Sequence, residues 1–168
     1  RRLGVCGGAI PTDMNDLTAE LCQTVKQMNY SGIFTRFSKN DPLTVSQESC
    51  QRARALLEEH DLKLYQSTGY WQCLIDPDES RRREAAKVLR AGLRVAGWLG
   101  SRSIDTGPGS MNPRGPWFPH PDNWKPLARR QLIRSLRECA SAAEDAGVYL
   151  GLEAHQLVTP QSPEITRD

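Results

Sequence analysis

The chain alternates five short apolar segments with amphipathic helical segments. The apolar segments are typical of buried strands, and they begin near residues 3, 32, 63, 103 and 148. A strand followed by a helix, repeated along a chain, predicts parallel strands joined by right-handed crossovers. We therefore expect an α/β protein built on one parallel sheet.

Two architectures are compatible with five βα units. The 168 residues suit a complete flavodoxin-like, doubly wound sheet, whereas a complete (β/α)8 barrel of the TIM type takes about 250. Ser162-Pro163-Glu164 has the features of a helix start, but the sequence stops at Asp168, within one turn. Because one isolated turn is unstable, this ending favours an incomplete barrel. We expect residues 1–168 to form a single domain, the N-terminal portion of a (β/α)8 barrel, with the doubly wound sheet as the alternative.

Charge and cysteine content narrow the class of protein. The chain has 22 Lys and Arg against 20 Asp and Glu, a net charge of +2, which argues against a nucleic-acid partner. No apolar run approaches 18 residues, so we expect no membrane-spanning segment. The five cysteines are widely spaced and form no C-x-x-C pair, which predicts reduced thiols in a cytoplasmic protein.

Candidate ligand-binding residues lie where the predicted strands end, because both architectures bind ligands beyond the carboxyl ends of their strands. Glu153 ends the fifth strand, and His155 would leave the same face two residues later. A carboxylate beside an imidazole suits a divalent-metal site or an acid–base pair; two unrelated loop residues are the other interpretation. Tyr70 follows the third strand, where it suits hydrogen bonding to a polyol or a hydrated rim.

The Gly- and Pro-rich segment 107–124 predicts a long, stiff loop after the fourth strand. Connections longer than about 12–15 residues are usually functional or disordered. Trp117 and Phe118 can form an apolar wall against a substrate to which His120 donates a hydrogen bond. The alternative is a lid packed over the helices, with His120 bonded to the backbone.

Three local features point to ordinary structural roles. Asp105 is expected to cap the turn after the fourth strand, with ligand binding as the alternative. Asp76, followed by Pro77, has the pattern of a helix N-cap. Residues 81–83 are three consecutive arginines, for which we expect a solvated turn rather than a ligand site.

Several segments together resemble one protein family. They are Leu3-Gly4-Val5, Pro119-His120-Pro121-Asp122-Asn123-Trp124, Leu150-Gly151-Leu152-Glu153-Ala154-His155 and Ser162-Pro163-Glu164. With the order of strands and helices, they resemble the xylose-isomerase-like TIM-barrel family of sugar isomerases and epimerases. The resemblance extends over essentially the whole chain, as the first five βα units.

This resemblance implies a chemistry and a set of site residues. In the family, a glutamate on strand five binds a divalent metal ion (Mn, Mg, Co or Zn), and an Asp, a His and a second Glu from later strands complete the site. The two glutamates shuttle a proton through an enediolate, and Glu153 matches the first of them. His155, His120, Trp117 and Tyr70 would then contact a small carbohydrate substrate, either a sugar or a sugar phosphate. The remaining metal ligands would lie beyond Asp168, so we expect the 168-residue chain alone to be inactive.

Other functions stay open at this point. One is dehydration of a keto-polyol on the same fold. Another is a half-barrel that acts as a binding or assembly module, including a homo-oligomer, because its first and fifth strands would expose unpaired edges.

Overall fold

A computed structural model describes residues 3–6, 13–36, 41–68 and 72–160. Its strands and α-helices alternate as predicted. They are β1 (Gly4–Val5), α1 (Ala19–Gln27), β2 (Gly32–Arg36), α2 (Gln47–Glu59), β3 (Lys63–Thr68), α3 (Glu79–Trp98), β4 (Ser103–Thr106), α4 (Pro126–Ala146) and β5 (Tyr149–Leu152). Short 3-10 helices lie at Met14–Asp16 and Pro121–Trp124. None of the described helices is both long and apolar enough to cross a lipid bilayer.

The strand order decides between the two predicted architectures. The five strands pair in parallel and in chain order, β1-β2-β3-β4-β5. A flavodoxin-like sheet would place its second strand outside the first, in the order 2-1-3-4-5. The sequential order is that of a barrel wall. The parallel barrel-type α/β fold is therefore confirmed, with five of its strands present, and the doubly wound alternative is wrong.

The two faces of the sheet differ in burial. Ile33, Leu64 and Ile104 point towards the helices and are at most 5% exposed. Successive strand residues face opposite sides, so their neighbours line the other, concave face. On that face Tyr149 is 74% exposed. The core thus lies between sheet and helices, and the concave face is exposed at β5.

Helix α3 begins two residues later than the sequence pattern suggested. Its N-cap is Asp78, whose side chain accepts a hydrogen bond from the Arg81 backbone N–H. Asp76 instead accepts a hydrogen bond from the Asp78 backbone N–H, in a turn before the helix. Both aspartates can bond a backbone amide two or three residues ahead, and the cap falls to the one adjacent to Glu79.

The expectation of a solvated turn at residues 81–83 is wrong. All three arginines lie in the first turns of α3, and the Arg82 side chain is fully buried against α4. Its guanidinium donates hydrogen bonds to both carboxylate oxygens of Glu79 and of Glu138, at 2.8–3.1 Å, and to Ser135 Oγ at 2.9 Å. These bonds, with a further one from Arg83, lower the pKa of Glu79 to about 2, and the bonds from Arg82 also lower the pKa of Glu138.

The loop after β4 crosses directly over the loop after β3. Pro108 O accepts a hydrogen bond from the Leu74 backbone N–H at 3.0 Å. Next to it, Gly109 has φ +76°, and a Cβ there would lie 2.4 Å from Gln72 O. Only glycine combines this left-handed backbone with so close a crossing, so the start of the long loop is fixed against the loop after β3.

Candidate active site at the carboxyl edge of the sheet

The concave face carries polar side chains where strands β3 to β5 end. Thr68 pairs with Asp105, and Asp105 pairs with Gly151 of β5. Glu153 follows two residues after Gly151, so it continues on the same side. The carboxyl edge therefore brings two carboxylates from neighbouring strands to one face.

Asp105 does not cap the following turn, contrary to our expectation. Its Oδ2 accepts a hydrogen bond from Thr68 Oγ1 at 3.0 Å, across the strand pair. Its Oδ1 is buried, and within the described part of the chain no donor reaches it. A buried carboxylate oxygen without a partner is costly, and such groups concentrate at functional sites.

The backbone of Glu153 is held in place by a hydrogen bond, whereas its side chain is exposed. Its N–H donates to Thr106 O at 2.9 Å, which extends the β4–β5 pairing one residue beyond the strand. The residue is exposed. Its carboxylate has neither a hydrogen bond nor an ion pair to the residues that the structure describes. The side chain is thus available to a ligand on the concave face.

The structure brings together two of the predicted substrate contacts, His155 and Trp117. Their rings meet edge to face, with centroids 5.2 Å apart and an interplanar angle of 63°. His155 Nδ1 accepts a hydrogen bond from the Leu157 backbone N–H at 3.2 Å. An accepting Nδ1 places the proton of the neutral ring on Nε2, so His155 can donate a hydrogen bond from Nε2 to an oxygen. Trp117 is half exposed beside it.

His120 follows the alternative interpretation, in which a nitrogen of its ring is hydrogen-bonded to the backbone. Its Nδ1 accepts a hydrogen bond from the Asp122 backbone N–H at 3.2 Å and caps the 3-10 helix Pro121–Trp124. Among the described segments the structure gives no hydrogen bond, ion pair or ring contact between His120 and either Glu153 or His155. Tyr70, the remaining predicted contact, lies outside the described residues.

Sequence reasoning missed Asn123, which is fully buried. Its Oδ1 accepts from the Met111 N–H at 3.0 Å, and its Nδ2 donates to Ser110 Oγ at 2.9 Å and to Leu157 O at 3.1 Å. One side chain thus joins the loop after β4 to the segment after β5. An asparagine in a Pro-rich loop is typical of an exposed turn, so no sequence signal distinguished it.

A divalent metal ion does not fit the described residues alone. Among them no three His, Cys, Asp or Glu side chains converge into a group that could hold an ion. Hard divalent cations take about six oxygen ligands. The two carboxylates at this edge, Glu153 and Asp105, could supply two ligands at most, and we derive no reaction step through a metal ion from this part of the chain.

Comparison with known proteins places this geometry in a family. The family model for the xylose isomerase-like TIM barrel matches residues 22–164. The chain belongs to this family. No curated protein matches the sequence.

Solved structures share the fold at low sequence identity. D-Psicose 3-epimerase from Clostridium cellulolyticum H10, solved with D-tagatose, superposes with a TM-score of 0.76 at 15% identity, covering 99% of this chain and 59% of that one. 3-Keto-D-glucoside 4-epimerase from E. coli superposes with a TM-score of 0.67 at 19% identity, covering 92% of this chain and 56% of that one. A xylose isomerase-like TIM barrel protein from Mycobacterium smegmatis, in complex with magnesium, superposes with a TM-score of 0.66 at 16% identity. The match covers 99% of this chain and 58% of that one. The chain therefore spans somewhat more than half the length of these family members.

Proposed function

We propose that this chain is the N-terminal part of a sugar isomerase or epimerase, with Glu153 as the residue that transfers the proton. The observation that carries the proposal is the position of Glu153. It is an exposed carboxylate without a partner among the described residues, held by a β4–β5 backbone bond at the open edge of a family barrel. Similar structures include three proteins described as sugar 3-epimerases or 4-epimerases, acting on psicose, ribulose and a keto-glucoside.

The proposed reaction needs a base beside a carbonyl compound. A Glu153 carboxylate oxygen takes the proton from the carbon next to the sugar carbonyl, which leaves an enediolate. Return of the proton to the neighbouring carbon gives an isomer. An epimer forms when a second acid, outside the described residues, protonates the same carbon from the opposite face. A carboxylate is suited to such general acid–base transfer when it lies within hydrogen-bond reach of the proton.

His155 and Trp117 would form the wall on the substrate side. The Nε2–H of His155 donates to a sugar oxygen, and the Trp117 ring covers an apolar face of the sugar. His120 and Tyr70 are further proposed substrate contacts, His120 through the ring nitrogen that does not cap the 3-10 helix. A divalent ion (Mn, Mg, Co or Zn) would have Glu153 as one ligand, with its other ligands outside the described residues.

The test is an epimerase and isomerase assay with D-tagatose and D-fructose, on the protein as it occurs in its source. Glu153→Gln keeps the shape but removes the base, and should abolish turnover. Glu84→Gln, an exposed glutamate on α3, is the matched control and should keep wild-type activity. Full activity of Glu153→Gln would refute the assignment, and release of a dehydrated product would favour the dehydratase.

A second candidate is a half-barrel that acts as a binding or assembly module. Among the described strands, β1 and β5 each have one unpaired edge, and Tyr149 is exposed on the concave face. Unpaired edges favour pairing with another chain. The intact mass of the native protein separates the candidates. A mass near 18.8 kDa would favour the module and a homo-oligomer, and a mass larger by about 10 kDa would favour the enzyme.

We also expect the protein to be cytoplasmic. All five cysteines are free thiols, and a reducing compartment keeps them so. Fractionation of the source cells tests this expectation.

A further inference from the structure

A chain of contacts leads from Asn123 to the proposed substrate wall. Asn123 Nδ2 donates to Leu157 O at 3.1 Å. The N–H of the same residue, Leu157, donates to His155 Nδ1 at 3.2 Å. The His155 ring in turn packs against Trp117. Leu157 therefore lies between two side chains, one bonded to its carbonyl and the other to its amide.

The geometry gives Asn123 little freedom. It is fully buried, and both amide hydrogens and the amide oxygen are used. Its own backbone oxygen also accepts a hydrogen bond from the Thr159 N–H at 3.3 Å. Two bonds, to Leu157 and Thr159, thus attach it to the segment after β5. A side chain with all its hydrogen bonds made inside a protein holds its partners firmly.

We propose that Asn123 is a positioning residue that holds His155 against Trp117 through Leu157. Its side-chain amide holds the Leu157 carbonyl and with it the backbone of that residue. The Leu157 N–H, in the preceding peptide group, sets the plane and tautomer of the His155 ring. The ring then presents Nε2–H to a ligand oxygen, the donor that a polyhydroxy ketone would use. This last step rests on the function proposed above, whereas the positioning of His155 does not.

The experiment combines NMR with ligand binding on the protein as it occurs in its source. An indole 5.2 Å away displaces the His155 ring-proton shifts by its ring current, and Trp117→Leu gives the undisplaced reference. Asn123→Asp keeps the oxygen that accepts from Met111 but removes both donors. We expect Asn123→Asp to move the chemical shifts of the His155 ring protons more than halfway from their wild-type values to their values in Trp117→Leu. His120, whose ring is held by Asp122 instead, should not move.

Ser110→Ala is the matched control. It removes the bond from Asn123 to Ser110 Oγ and also the bonds of Ser110 Oγ to Phe118 O and the Asn112 N–H, so it loosens the same loop more widely. It leaves the Leu157 bond in place. We expect a small change in the His155 shifts. Equal changes in Asn123→Asp and Ser110→Ala would mean general loop loosening and would overturn the inference, as would no change in Asn123→Asp.

Binding of D-tagatose and D-fructose, measured by calorimetry, separates the two proposals. Asn123→Asp should weaken binding about tenfold, the value of one hydrogen bond near 1.4 kcal/mol. If the shifts move but binding does not, positioning stands and the role of His155 in the proposed function fails. If the wild type binds neither sugar, the proposed function fails and the shifts still decide the inference.

A measurement on the wild type decides the case in which Asn123→Asp does not fold. The Leu157 N–H is bonded to His155 Nδ1, so its hydrogen exchange should be much slower than that of an exposed loop amide. Exchange at the rate of an exposed amide would overturn the inference.

Discussion

Replacement of Arg82 by methionine should cost about 2–3 kcal/mol of stability. Arg82 is fully buried, and its guanidinium makes five hydrogen bonds, four of them to the carboxylates of Glu79 and Glu138. Breaking a buried ion pair typically costs about 3–5 kcal/mol. The loss is smaller here because Glu79 and Glu138 are 37% and 33% exposed and regain water. Methionine fills much of the space left by the arginine stem.

Arg83→Met is the matched control for this prediction. Arg83 lies one residue further along the same helix and also pairs with Glu79, at 2.7 Å, but its side chain is 67% exposed. Exposed ion pairs contribute at most about 1 kcal/mol. Urea unfolding of both variants and the wild type measures the difference, provided that the m-values agree. Equal losses from the two substitutions would refute the argument from burial.

The effect of Arg82→Met should also depend on pH. Bonds from Arg82 and Arg83 lower the folded-state pKa of Glu79 from 4.5 to about 2. A lowered carboxylate pKa stabilises the folded state above the unfolded-state pKa, and this stabilisation is lost as pH falls through the folded-state pKa. The difference in unfolding free energy between the wild type and Arg82→Met should thus be largest at pH 6 and should shrink between pH 4.5 and 2. A gap that stays constant over this range would contradict the linkage.

Two further predictions concern the loop crossing. Gly109→Ala should destabilise the protein by at least about 1–2 kcal/mol, because alanine disfavours φ +76° and its Cβ would meet Gln72 O; urea unfolding that matches the wild type would contradict the close crossing. The Cys73 thiol has its pKa raised to about 11 by burial and by the negative charge of Asp76, and the thiolate is the reactive form. Peptide mapping after iodoacetamide treatment at pH 8 should show Cys73 modified far more slowly than the exposed Cys6, and equal rates would be the contrary result.

The fold could be predicted from the spacing of apolar residues, because the pattern that marks a strand or a helix lies within that one element. The alternation of apolar strands with helices such as α4, closed by Gly147 in a left-handed conformation, is visible in neighbouring residues. Helix starts were less certain. Asp76 and Asp78 flank Pro77, and both bond backbone amides ahead of them, so the local pattern alone could not select the cap.

The candidate site was predictable only where its residues follow a strand. Glu153 and His155 could be singled out because β5 ends just before them. Asn123 and Arg82 could not, since their burial depends on partners far along the chain. Asn123 bonds a residue 34 positions away, and Arg82 one 56 positions away. In an isolated sequence both look like ordinary surface residues.

The bond between Asn123 and Leu157 couples the structures of the loops after β4 and β5. A laboratory that grafts residues 107–124 into a related barrel to change its substrate would bring Asn123 without the carbonyl that it binds. The buried amide would then lack its acceptor, and the contact between Trp117 and the residue at position 155 would lose its support. Moving residues 107–124 and 153–160 together keeps the donor, the acceptor and the Trp117–His155 contact in one transferable unit.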